Sequence, residues 1–170
     1  MSICFLDTSA LQHCYLTSPY SRIVRNAISR RANQCYVLDI TVLEIASAFG
    51  RQCRRRDLTV EDYDRLNVRL WRDIQSNRLR VRPFGQREVL RARHLLRYAG
   101  VIRKRNLGSA DALIAVACLE LALEIKEPVA FYSSDWPLYS TLNEIDAFSS
   151  GLNLRFLGAR KSGLAKTAET

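Results

Sequence analysis

Four acidic residues stand where a carboxylate can do more than solvate a surface. Asp7 directly follows the apolar run ICFL (3–6), and Asp135 directly follows PVAFYSS (128–134). Glu44 lies one turn into a helical pattern after a second apolar run. Asp111 lies in the first turn of the strongly apolar stretch ADALIAVACLELAL (110–123). Two carboxylates about 5 Å apart repel by roughly 3 kcal/mol at an effective dielectric of 20. Four that converge therefore need protons or cations among them near neutral pH. Hard divalent cations prefer oxygen ligands, and Mg2+ often takes one or two carboxylates plus waters and substrate phosphate. Such an ion activates water and stabilises the leaving oxygen of an in-line displacement. Each acid also has a purely local reading. Asp7 suits a turn. Glu44, three residues after Thr41, suits a capping box. Asp111 complements the positive end of its helix. Asp135 suits the N-cap of a helix whose second residue is Pro137. Asp39, at the end of the second strand, rivals Glu44 for the same pocket.

The chain around these acids is basic: Lys+Arg number 26 against 17 Asp+Glu, for a net charge of +9. Lysine occurs only at 104, 126, 161 and 166, so the positive charge is mostly arginine. The guanidinium fork suits phosphate, and a basic balance gives sequence-independent affinity for a phosphate backbone. Arg51, Arg54 and Arg55 in RQCRRR (51–56), with Arg103, Lys104 and Arg105, are the candidate nucleic-acid contacts. The same runs also suit a solvated face or an acidic protein partner. An acidic pocket on a basic chain is coherent if arginines hold a polyanion while a cation lets the acids approach its phosphate.

Other chemistries find little support. Five cysteines are scattered with no C-x-x-C pair, as expected for buried, reduced thiols in a cytoplasmic protein. The two histidines, His13 and His94, are far apart and form no zinc-ligand spacing or recognisable triad setting. Phosphate-loop and dinucleotide glycine motifs are absent from the sequence. No apolar run approaches the roughly 18 residues that span a bilayer, and the N-terminus does not read as a signal segment.

The elements that must position the acids alternate along the chain. Strands are expected at 3–6, 35–38, 79–84, 128–134 and 153–157. Helices are expected at 9–16, 20–32, 42–55, 59–76, 86–99, 110–123 and 136–145. The helix at 59–76 opens with Thr59 followed by Glu61 and Asp62, a capping signature. The strand at 79–84 alternates apolar and basic residues and stops at Pro83, as an outer strand should. Strands separated by helices imply a three-layer α/β/α sandwich with a mostly parallel five-stranded sheet. Ligands in such folds bind beyond the carboxyl ends of the strands. One domain is expected over 1–157, with a mobile tail at 158–170 that has little to bury.

Four segments in order, FLDTSAL, TVLEIASAF, SADALIAVAC and YSSDWPL, resemble the PIN-domain ribonucleases, in particular the VapC-like toxins of bacterial toxin–antitoxin pairs. The resemblance covers about residues 1–157. It implies a Mg2+- or Mn2+-dependent endoribonuclease whose site falls on Asp7, Glu44, Asp111 and Asp135. It makes Asp7 and Asp111 the principal metal ligands. Glu44 and Asp135 act directly or through water, and Ser9 is a supporting polar group. It also implies a homodimer neutralised by a small antitoxin. The chain departs from the family pattern at Trp136 and Pro137, where a polar pair is more usual, and in its extra arginines. The alternative is a PIN-like module that binds RNA or a protein without cutting. A receiver-like use of Asp7 as nucleophile lacks a second acid in DTS and a partner lysine.

Overall fold

The computed structural model describes residues 2–30 and 32–158. The first apolar run forms β1 (Ile3–Leu6), with all four residues buried. A strand covered on both faces requires this continuous apolarity. Ile3 and Phe5 pack into one core, and Cys4 and Leu6 into the other. The remaining strands are β2 (Gln34–Leu38), β3 (Arg80–Arg82), β4 (Val129–Ser133) and β5 (Leu152–Phe156). They form one sheet in the order β3-β2-β1-β4-β5, and every neighbouring pair is parallel. The arginine-rich strand is at one edge, where Pro83 just beyond it disturbs no ladder.

Helices cover both faces. On one side α1 (Thr8–Tyr15), α2 (Ser21–Ser29), α4 (Val60–Gln75) and the body of α3 (Asp39–Arg54) pack through Leu11, Val24, Leu70, Ile45 and Phe49. On the other, α5 (Gln86–Arg97), α6 (Ser109–Ile125), α7 (Trp136–Asn143) and α8 (Asp146–Gly151) pack through Leu95, Ile114, Leu138 and Phe148. The chain is an α/β/α sandwich. Its sheet grows outward from β1 to β3, then returns to add β4 and β5 on the opposite side. Strand order therefore reverses between β1 and β4. The helices that follow β1 and β4 lie on opposite faces, so the crevice outside these carboxyl ends is the usual ligand position of open parallel sheets.

Local signals explain most boundaries. Thr59 and Asp62 form a reciprocal capping box at the start of α4. The apolar α6 ends at Lys126, whose φ of 57° stops the helix. Within α6 one acid, Glu120, is 2% exposed and pairs with Arg91 and with Arg87 at 3.2 Å, tying α5 to α6.

Some expectations need correction. The helix expected at 42–55 begins at Asp39 with Leu38 as its N-cap, so Thr41 is not a cap. Leu38 is fully buried at the end of β2, and the chain enters the helix as soon as that side chain is packed. Thr41 turns inward and its hydroxyl finds no partner among the described residues. A short π-helical turn, Tyr98–Ile102, carries α5 past the end expected at 99. The six-residue α8 was not anticipated, because one buried anchor, Phe148, is too few to set a period. The expected mobile tail lies, apart from Gly158, outside the described residues.

Phe131 is 1% exposed on β4, next to the crevice. Phe131→Ala should cost about 3–5 kcal/mol of stability. Chemical denaturation followed by circular dichroism measures this, and a cost under about 1 kcal/mol would contradict the packing described.

Candidate active site

Asp7 leaves β1 at its carboxyl end and is 1% exposed. Its backbone N–H continues the sheet by donating to the Tyr132 carbonyl at 3.1 Å. Its carboxylate caps α1, accepting from the Ala10 N–H at 2.6 Å. Two hydroxyls also donate to it. Ser9 Oγ lies 2.8 Å from Oδ1, and Ser133 Oγ, at the end of β4, lies 2.6 Å from Oδ2. Burial raises the carboxyl's pKa, and these donors oppose it. Burial dominates, and Asp7 is pushed up to about 7, with the negative charge of Asp111 adding to the rise.

The same hydroxyls fix Asp135 relative to Asp7. Ser133 Oγ accepts from the Asp135 N–H at 3.0 Å, and Ser9 Oγ accepts from the Ser134 N–H at 2.8 Å. Asp135 caps α7, accepting from the Leu138 N–H at 2.7 Å, with Pro137 in the first turn. The local reading of Asp135 is correct, and it does not remove the residue from the site. Glu44 projects from the second turn of α3, and its Oε2 accepts from Thr8 Oγ1 on α1. Asp111 sits in the first turn of α6, half-buried. Burial raises it to about 6, helped by the charges of Asp135 and then Glu44, against a hydrogen bond from Gly108. A side chain at Gly108 would bring its Cβ to 2.6 Å from Asp111 Oδ2, so the bare backbone at this position lets the carboxylate fold back.

Asp7, Glu44, Asp111 and Asp135 thus come from four elements to one electrostatic neighbourhood at the switch point. Asp39 is not among the acids that raise Asp111. Its carboxylate instead accepts from the Ile40 N–H at 2.7 Å, at the start of α3. The arginines separate into two groups. Arg103 and Arg105 both grip Glu144, at 2.5 and 2.6 Å, while Lys104 is exposed between them. Arg51, Arg54 and Arg55 are exposed at the far end of α3, and Arg51 takes Ser47 Oγ at 3.1 Å. Seven residues separate Glu44 from Arg51, which is two turns on the same helical face, roughly 10 Å along the axis.

A family model described as the PIN domain matches residues 4–148. The chain belongs to the PIN-domain family. Three solved structures share the fold. FitAcB from Neisseria gonorrhoeae aligns at 18% identity and a TM-score of 0.60, covering 90% of this chain and 96% of its own. VapC20 from Mycobacterium tuberculosis, a sarcin-ricin loop cleaving toxin, aligns at 15% and 0.59, covering 82% and 94%. VapBC2 from Rickettsia felis, bound to a DNA fragment from its promoter, aligns at 16% and 0.57, covering 92% and 98%. No curated protein matches the sequence.

Four site residues of this PIN domain escaped the sequence reading. Thr8 orients Glu44, Ser133 donates to Asp7, and Ser134 links Ser9 to His13, whose Nε2 lies 2.7 Å from Ser134 Oγ. Serines adjoining Asp135 were the available signal, but serine is too common in turns for that to count. Among the described residues no three His, Cys, Asp or Glu side chains form a ready-made metal cage. The donor set still fits a hard cation, because Mg2+ needs only one or two carboxylates and keeps its waters. Burial, with the acids' mutual repulsion added, raises Asp7 and Asp111, and a cation would offset both.

Asp7 holds its proton more tightly folded than unfolded, so it costs stability as pH rises from about 4 to about 7. Without divalent cations, the melting temperature of the parent chain should fall between pH 5 and pH 8. Asp7→Asn should flatten that fall and melt higher at pH 8. Parallel pH profiles for the two proteins would show that Asp7 is not a strained buried acid.

Proposed function

We propose that the chain is a metal-dependent endoribonuclease that hydrolyses RNA phosphodiester bonds. The observation that carries this is the gathering of four carboxylates from four elements, two of them raised chiefly by burial and further by their neighbours' charge, Asp111 by Asp135 and Glu44 and Asp7 by Asp111. An acidic pocket on a chain of net charge +9 has little use for a cationic substrate, and it suits a phosphate that arrives with a cation. Asp7 and Asp111 would hold Mg2+ or Mn2+, with Glu44 and Asp135 acting directly or through water. The ion, when bound, would lower the pKa of the attacking water and offset charge building at phosphorus.

The chain's own residues supply positioning. Ser9, Ser133 and the Ala10 N–H hold the Asp7 carboxylate in one orientation, so no reorganisation is needed as the reaction proceeds. Thr8 restrains Glu44, and the α7 cap restrains Asp135, so both can accept a proton or a water hydrogen bond from a fixed place. Arg51, Arg54 and Arg55 continue the Glu44 face of α3 and offer forks for the flanking backbone. The likeness to VapC20 supports a toxin role. The family resemblance supports neutralisation by a small antitoxin, action as a homodimer, and a cytoplasmic setting. Among the described residues no helix is long and apolar enough to cross a membrane.

Purified protein should cut single-stranded RNA with Mn2+ or Mg2+, and EDTA should stop it. Asp7→Asn and Asp111→Asn should each lower the rate on the order of 100-fold or more with an unchanged circular dichroism spectrum. Full activity in both variants would refute the site. RNA binding without any cleavage in the parent would favour the non-cutting PIN-like module.

A further inference from the structure

The departure at Trp136 has a structural counterpart. Along α7, which starts at the Asp135 cap, lies a cavity of about 480 Å³, lined by Arg105, Asn106, Trp136, Tyr139, Ser140 and Asn143 among others. That volume falls within the roughly 300–1,000 Å³ of small-ligand sites. Its walls are the segments that adjoin two of the acids, Asp111 and Asp135. Arg105 and Asn106 precede α6 and Asp111, and Trp136 directly follows Asp135 at the start of α7. The Trp136 end of the cavity is therefore one residue from Asp135.

The walls are aromatic and polar. The Trp136 and Tyr139 rings stack at 29° with centroids 5.7 Å apart. Phe156 from β5 packs edge-on beneath Trp136 at 5.2 Å and holds it from behind. Trp136 nevertheless remains 50% exposed. One exposed tryptophan is ordinary, but a second observation accompanies it. Arg105 is fixed by its Nη2 bond to Glu144, which also lines the cavity, and the arginine side chain stays 30% exposed there. A guanidinium donor, two amide side chains and a hydroxyl beside a braced indole face match an unpaired nucleobase. A base offers a π-face to the indole and carbonyl or ring-nitrogen acceptors to the donors. Duplex RNA shows neither, because its bases are already stacked and paired.

We propose that Trp136, Tyr139 and Arg105 form a subsite for one unpaired RNA base next to the phosphate presented to the acids. Trp136 is the stacking platform, and Arg105 with Asn106 and Asn143 contacts the base edge. This rests on the ribonuclease reading for the neighbouring phosphate, but the subsite binds RNA whether or not cleavage follows. It predicts that the enzyme cuts single-stranded segments and that base identity at this position matters.

The test uses the full chain in EDTA, with Trp71→Phe so that Trp136 is the remaining tryptophan. Short single-stranded oligoribonucleotides should quench its fluorescence. A matched duplex and an abasic oligonucleotide of equal charge should not. Separately, Trp136→Ala in the metal-loaded enzyme should raise KM for single-stranded RNA roughly tenfold with kcat little changed, and Trp136→Tyr should restore most of it. Arg105→Gln, which leaves the aromatic stack intact, should raise KM in the same direction. Equal quenching by the abasic strand would reduce the site to charge attraction and overturn the proposal, as would no quenching or an unchanged KM in Trp136→Ala. Quenching without any cleavage would uphold the subsite and refute the nuclease reading. Cleavage with no quenching would do the reverse.

Discussion

The carboxylate of Asp7 is buried at the point where the sheet reverses its strand order, and much of the structure around it answers to that. A charge at 1% exposure is unfavourable unless hydrogen-bonded or neutralised. The chain supplies an α1 backbone amide and two hydroxyls, one from its own helix and one from β4. Even so the carboxyl remains raised. Asp7 is held in place while being left short of full compensation, an arrangement that favours proton or cation uptake over structural permanence.

The donors to Asp7 also explain why the other acids are where they are. Ser133 and Ser9 pass the constraint on through backbone amides to Asp135 and Ser134, so the ends of β1 and β4 are joined by side chains as well as by the sheet. Thr8, beside Asp7, fixes Glu44 on α3. Asp111 comes from the opposite layer, where the apolar α6 anchors it and Gly108 lets it fold back. Both layers thus contribute to one crevice, and the acids' geometry is as rigid as the packing of α1, α3, α6 and β4. The base subsite shares these supports, since α7 carries Trp136 immediately after its Asp135 cap.

Positive charge is distributed more selectively than a net charge of +9 suggests. Arg87 and Arg91 neutralise buried Glu120, Arg82 pairs with Glu124 at 2.5 Å, and Arg103 and Arg105 share Glu144. These pairs tie helices and strands together. The exposed end of α3 is one surface on which arginines, Arg51, Arg54 and Arg55, stand outside these pairs.

The sequence by itself determined the strand and helix order and the capping of α4 and α7, and it singled out four acids that the fold brings together. Each of these is written in short-range patterns: continuous apolar runs for doubly covered strands, a 3.6-residue period for helices, and side chains that satisfy amides within three residues. It could not place the start of α3, because that depends on how Leu38 packs at the end of β2 rather than on Thr41 as a local cap. It gave no sign of α8, whose one anchor leaves no period. It also could not say that Asp39 turns to its own helix while Glu44 enters the crevice, or that Ser133 and Thr8 serve the acids. The last of these depends on residues 36 and 126 positions apart meeting in space, which the pairing of β1 with β2 on one side and β4 on the other decides.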